Sequence, residues 1–304
     1  MPAKDVKILE EIQGYESRYF TFDKPIPFCG LNLYPVTMRD YDMFLFTSEC
    51  FTLNKNDDPN GIRKSHLDYL LDKMQDKQDG FAWSYRFSYL FELIFHIKNG
   101  IKCDKCGKIK TYDDIVAEVT AAKASGEEKD FSICECGGHF GEMVSFKTDE
   151  KTKKHYLIVD GHKITSNDFN RLRRIALYQN LPDYKDDSWV HPEIRKDQKA
   201  KQELMAKKDG GETYASLERK ILCVCSQTPY KFEEIFDMPV RKFLILFDVV
   251  DSAMTYSAEL TGRMSGLVSS KQPINHWVYK KQKGIYGDAV DFGEYKRNLG
   301  GTGG

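Results

Sequence analysis

With 304 residues, of which 41% are hydrophobic and 30% charged, the chain has material for a sizeable core and lies outside the disordered class. Its 45 basic and 46 acidic residues leave a formal charge of −1, so no global field draws it to nucleic acid or to an anionic membrane. No apolar run approaches a membrane span, and MPAKDVKILEEIQGY has acidic residues where a secretory leader needs apolar ones. An intracellular protein is therefore expected, whose eight cysteines are free thiols or metal ligands rather than disulfides.

In chain order, residues 17–38 mix aromatic and β-branched side chains with prolines, which predicts short strands and turns. Residues 56–61, NDDPNG, form a loop. Its oxygen spacing is that of a calcium loop, but Pro59 sits where the bend needs glycine and the closing glutamate is missing. Ser65 is placed to cap a helix with Leu67, Leu70, Leu71 and Met74 on one face. A second helix is expected over Tyr85–Lys98, stopped by Asn99 and Gly100, and its load of Phe87, Leu90, Phe91, Leu93, Ile94 and Phe95 makes it central.

Immediately after it come Cys103 and Cys106, separated by two residues and followed by Gly107. A helix over Tyr112–Ala124 leads to Cys134 and Cys136, separated by one residue and followed by Gly137 and Gly138. One tight turn directs two thiolates at one ion, and glycine lets amides approach the sulfurs, so both halves read as hairpin ends that together bind structural Zn2+. The one-residue gap departs from the commonest ribbon. His139 in place of Cys134 or Cys136, and buried thiols without metal, are the alternatives. Four sulfurs leave no open position for water, and neither a deaminase nor a His-Glu-x-x-His pattern is present, so no catalytic role and no enzyme activity are expected. Lysines 105, 108, 110, 151, 153 and 154 raise a nucleic-acid alternative, against which acidic residues 127, 128, 130, 135 and 142 are interleaved.

Beyond the second knuckle, alternation over residues 143–165 predicts two or three strands, with Asp160-Gly161 as a hairpin turn. The chain then becomes helical. Phe169, Leu172, Ile175 and Ala176 fall at helical spacing, 193–208 is a charged helical face, two helices lie within 213–238, and a longer one starts from Pro239. Cys223 and Cys225, two apart on a helix, point to different faces and read as core thiols, as do Cys29 and Cys50. His191 and His276 sit beside tryptophans and read as packing, and GGTGG as a flexible tail.

The fold class expected is α+β: a small β-containing N-terminal region ending in a core helix (1–100), an inserted zinc ribbon with a β hairpin (101–165), a mainly helical C-terminal half (166–299) and a Gly-rich tail (300–304). Several segments, LNLYPVTMRDYDMF, SYRFSYLFELIFHIKNG, CDKCG, ITSNDFNRLRRIALYQN, DYKDDSWVHPEIRKD and ERKILCVCSQTPYKFEEIFDMPVRKF, resemble in order and texture the tail and baseplate-hub proteins of tailed bacteriophages. That resemblance implies a structural or assembly role through protein–protein interfaces. It places the chain in the host cytoplasm during assembly or in the virion tail or baseplate. The partners it implies are other phage tail or baseplate proteins, or further copies of the chain, with no membrane partner; nucleic acid is the alternative partner.

Overall fold

The structure is a computed structural model that describes residues 3–98, 100–125, 132–184, 186, 193–194, 197, 200, 216–266 and 276–278. Most of the charged run 193–208, His191 and the GGTGG tail lie outside the described residues. The chain divides into two compact units, 1–245 and 246–304. Helices with small antiparallel sheets make the arrangement α+β. No helix among the described residues is long and apolar enough to cross a membrane.

The first unit opens with α1 (Ala3–Arg18) and the hairpin β1 (Ile26–Phe28) and β2 (Leu31–Leu33), the short strands expected for this Pro- and aromatic-rich stretch. Its two-residue turn puts Cys29 at φ 48° and Gly30 at φ 84°, the left-handed pair that matches strand twist. Short helices α2 (Tyr41–Thr47) and α3 (Glu49–Thr52) lead to α4 (His66–Met74), where Ser65 Oγ accepts the Asp68 amide proton at 3.1 Å.

Helix α5 spans Gly80–Phe95, starting before Tyr85 and stopping short of Lys98. It ends early because the Tyr34 amide takes the Ile94 carbonyl at 2.7 Å, while His96 turns left-handed (φ 55°) and stacks on Tyr34 at 4.1 Å. Gly100 therefore does not stop the helix. It opens the next strand, where a Cβ would lie 2.1 Å from the Lys110 carbonyl oxygen.

The next two strands, β3 (Gly100–Cys103) and β4 (Ile109–Thr111), precede α6 (Tyr112–Ser125), and β5 (Phe140–Glu142) pairs with β3, giving the order β4-β3-β5. A separate sheet, β6 (Val144–Thr148), β7 (His155–Val159) and β8 (His162–Thr165), turns at Asp160-Gly161 (φ 44° and 82°), as the Asp-Gly pair requires. Thr165 and Asp168 then form a reciprocal capping box that starts α7 (Ser166–Asn180). Leu217–Gln227 and Phe232–Phe236 are the two helices expected within 213–238, and Val240–Met264 follows Pro239.

The core of this unit is aromatic. Phe51, Phe87, Phe91 and Phe169 are fully buried, Phe169 lying 5.7 Å from Phe51 and 6.5 Å from Phe87, and Phe146 of the β6–β8 sheet reaches Phe87 at 5.2 Å. Helix α7 is enclosed more fully than its apolar stripe indicates. Arg174 and Asp186, each 4% exposed, pair at 2.6 Å, Arg173 donates to the Phe51 carbonyl at 3.0 Å, and Asn180 accepts the Val36 amide at 2.8 Å. These polar groups are buried because each finds a partner, the condition burial imposes. In the second unit, Tyr256 lies 5.0 Å from His276, whose ring stacks on Trp277, with His276 and Trp277 both exposed rather than in a core.

Burial, with Arg173 beside it, pushes the His66 pKa down to about 3, and its ring Nε2 meets the Cys50 carbonyl at 3.1 Å. A depressed folded pKa favours the neutral ring. Its contribution is complete above the unfolded value near 6.5 and is lost as pH falls toward 3, because only the unfolded chain takes up the proton. We expect the urea midpoint to drop between pH 7 and pH 5 and the drop to shrink in His66→Gln. Equal slopes in the two proteins would remove His66 as the cause.

Candidate metal centre

Cys103, Cys106, Cys134 and Cys136 converge, their Sγ atoms all within 4.8 Å of one another. The shortest separations cross between knuckles: Cys103 to Cys136 at 3.4 Å and Cys106 to Cys134 at 3.6 Å. A disulfide needs about 2.05 Å, whereas four sulfurs around one ion at about 2.3 Å stand about 3.8 Å apart. The observed spacing therefore fits a tetrahedral metal site and does not fit disulfides, and all eight cysteines are free.

Local structure explains how unequal gaps reach the same geometry. The first knuckle ends the β3–β4 hairpin and closes with the Gly107 amide on the Cys103 carbonyl, four residues back, at 3.1 Å. In the second, Ile133 and His139 form a bridge, and the Gly137 amide reaches the Cys134 carbonyl, three residues back, at 2.8 Å. The turn is one residue tighter, which is what the one-residue gap between Cys134 and Cys136 demands. Gly107 (φ 72°) and Gly137 (φ 76°) adopt backbone that other residues rarely take. Gly138 is needed for space, since a Cβ there would sit 2.7 Å from Cys103 Sγ and 2.6 Å from Asp104 Oδ1.

Asp104 clasps the two knuckles together, its amide donating to the His139 carbonyl at 3.0 Å and its carboxylate accepting the His139 amide at 2.8 Å. His139 thus contributes its backbone, and its ring is not in the ligand cluster among the described residues. The role of Asp104 was not legible from spacing, because it depends on a partner 35 positions along.

The thiols influence one another. The Cys106 backbone N–H lowers the Cys103 pKa to about 6, against opposition from burial and with help from the Lys105 amide and the neighbouring thiols. Cys136 moves the other way. The Gly138 amide lowers it, but the sulfurs of Cys106 and Cys103 raise it further. Thiolates this close compete for ionisation, and a cation among them relieves the competition.

The surrounding charges are partly neutralised. Lys108 pairs with Glu135 at 3.2 Å, Lys110 with Glu118 at 2.7 Å, and Lys102 with Asp160 at 2.7 Å, the last joining this sheet to the β7–β8 turn. Cys223 and Cys225 lie on Leu217–Gln227 outside the cluster, as their helical spacing requires. Of the four cysteines expected in the core, Cys50 is buried, but Cys29, at the β1–β2 turn, and Cys223 and Cys225, on a helix that buries only Ile221 and Val224, are half-buried. No protein-family model, curated protein or solved structure matches the chain.

Proposed function

We propose that the protein is a tail or baseplate component of a tailed bacteriophage, acting in virion assembly or structure through protein–protein interfaces, with structural zinc in the four-cysteine site. The observation that carries the interface reading is the solvent side of α5. Phe81, Tyr85 and Tyr89 recur at i, i+4 and i+8, Phe81 being 85% and Tyr85 38% exposed, where a surface helix normally carries polar groups. Beside them Arg86 is sandwiched between Phe46 at 4.6 Å and Trp83 at 4.9 Å, and Phe46 is itself 42% exposed. Exposed aromatics flanked by arginine have the composition of interface hot spots.

Zinc is supported by the all-sulfur donor set, which suits a soft, redox-inert ion, and by four filled positions that leave the metal a purely structural task. The lysines nearest the knuckles are partly engaged by Glu118 and Glu135, so we prefer protein partners to nucleic acid. The resemblance to phage tail proteins supplies the class of partner.

Tagged protein recovered from phage-infected cells should carry tail or baseplate proteins in fixed stoichiometry. A Phe81→Glu/Tyr85→Glu variant, both changes on exposed positions, should weaken that recovery by about tenfold or more while remaining folded. Recovery of nucleic acid alone, falling steeply with salt, would replace this reading with the nucleic-acid one.

A further inference from the structure

A cleft of about 390 Å³ opens where the N-terminal ends of α4 and α7 meet the turn between β6 and β7. Arg63, Lys154 and Lys163 line it, and none of the three has an ion-pair partner among the described residues. Lys163 is held over the Tyr156 ring at 4.1 Å. Two carboxylates also face the cleft, but both are engaged. Asp149 Oδ1 accepts the amides of Lys151 and Thr152 at 3.0 and 2.9 Å, and Asp68 takes His155 Nδ1 at 2.7 Å and the Ser65 hydroxyl at 2.6 Å.

The cleft thus gathers three cations that form no ion pair among the described residues, although Lys163 also acts on Asp149, against two carboxylates that already accept hydrogen bonds from the fold, with the capped N-terminal ends of two helices on the same wall. The Asp68 contact also orients the His155 ring. From these features the geometry points to a binding site for a phosphate group, held by the guanidinium fork of Arg63 and the point charges of Lys154 and Lys163. A phosphoryl group presents oxygens in several directions and matches donors that arrive from three separate segments, and the volume lies within the range of small-ligand pockets. The phosphate belongs either to a small phosphorylated molecule or to a nucleic-acid backbone, which share this chemistry.

Calorimetric titration of the full zinc-loaded chain with inorganic pyrophosphate, and in parallel with a short DNA duplex, tests the site. Saturable binding is expected to weaken about tenfold or more in Arg63→Ala and in Lys163→Ala and to vanish in the double variant. Lys77→Ala, past the opposite end of α4, should leave it unchanged, with circular dichroism confirming that every variant folds. Pyrophosphate binding alone assigns the site to a small phosphorylated ligand, and duplex binding lost in the same variants assigns it to a nucleic-acid backbone. No saturable binding of either probe in the millimolar range, or binding weakened equally by Lys77→Ala, overturns the proposal.

Discussion

Replacing Cys103 with serine is expected to abolish the proposed zinc binding and unfold residues 100–142 while α4, α5 and α7 keep their fold. The reason is how little else holds that segment. Among its described residues, the buried hydrophobic side chains are Cys103 and Cys134, both of them proposed ligands. The β4-β3-β5 sheet is three short strands with no apolar layer of its own, and its surface ion pairs contribute little in water. Metal binding in such a module is folding free energy, so losing one sulfur removes most of what orders it. Amide exchange at Ile101, Lys102 and Phe140 should accelerate by on the order of a thousandfold, with little change at buried Leu172 or Ile175. Unchanged exchange in the strands would mean that the module stands without the metal.

The second large effect is expected at Phe169. Its ring is fully buried against Phe51, Phe87 and His66, joining α3, α4, α5 and α7 at one point. Truncation to alanine leaves a void that rigid neighbours cannot close, and costs about 3–5 kcal/mol. That is a large share of a typical domain's stability of roughly 5–15 kcal/mol. Urea unfolding should register this loss while the metal content stays as in the parent protein, since the cysteine site makes no use of Phe169. A loss below about 1 kcal/mol would show that Phe169 is not the centre of the core.

How far each feature was legible in the sequence follows from how local its determinants are. Each cysteine knuckle, the Asp160-Gly161 turn, the Ser65 cap and the helix after Thr165 are written within a few residues, and the structure carries them all, bringing together two knuckles about thirty positions apart. Asn99 and Gly100 suggest a helix stop at Lys98, yet α5 ends at Phe95. What decides the end is Tyr34, far away in the chain, and Gly100 instead serves a close approach between strands. Arg173 and Arg174 would be placed outside by any apolar-stripe argument, and their burial depends on carbonyl and carboxylate partners contributed by other segments. The exposed aromatic row on α5 was hidden for a related reason. Composition alone cannot separate a helix buried all round from one with a second apolar face.

The zinc content and ligand shell of the intact protein, purified under reducing, metal-replete conditions, bear most directly on the four-cysteine centre. One zinc per chain in a shell of four sulfurs at about 2.3 Å by X-ray absorption is the result expected. Less than about half an equivalent of zinc, or a nitrogen in the shell, would contradict it.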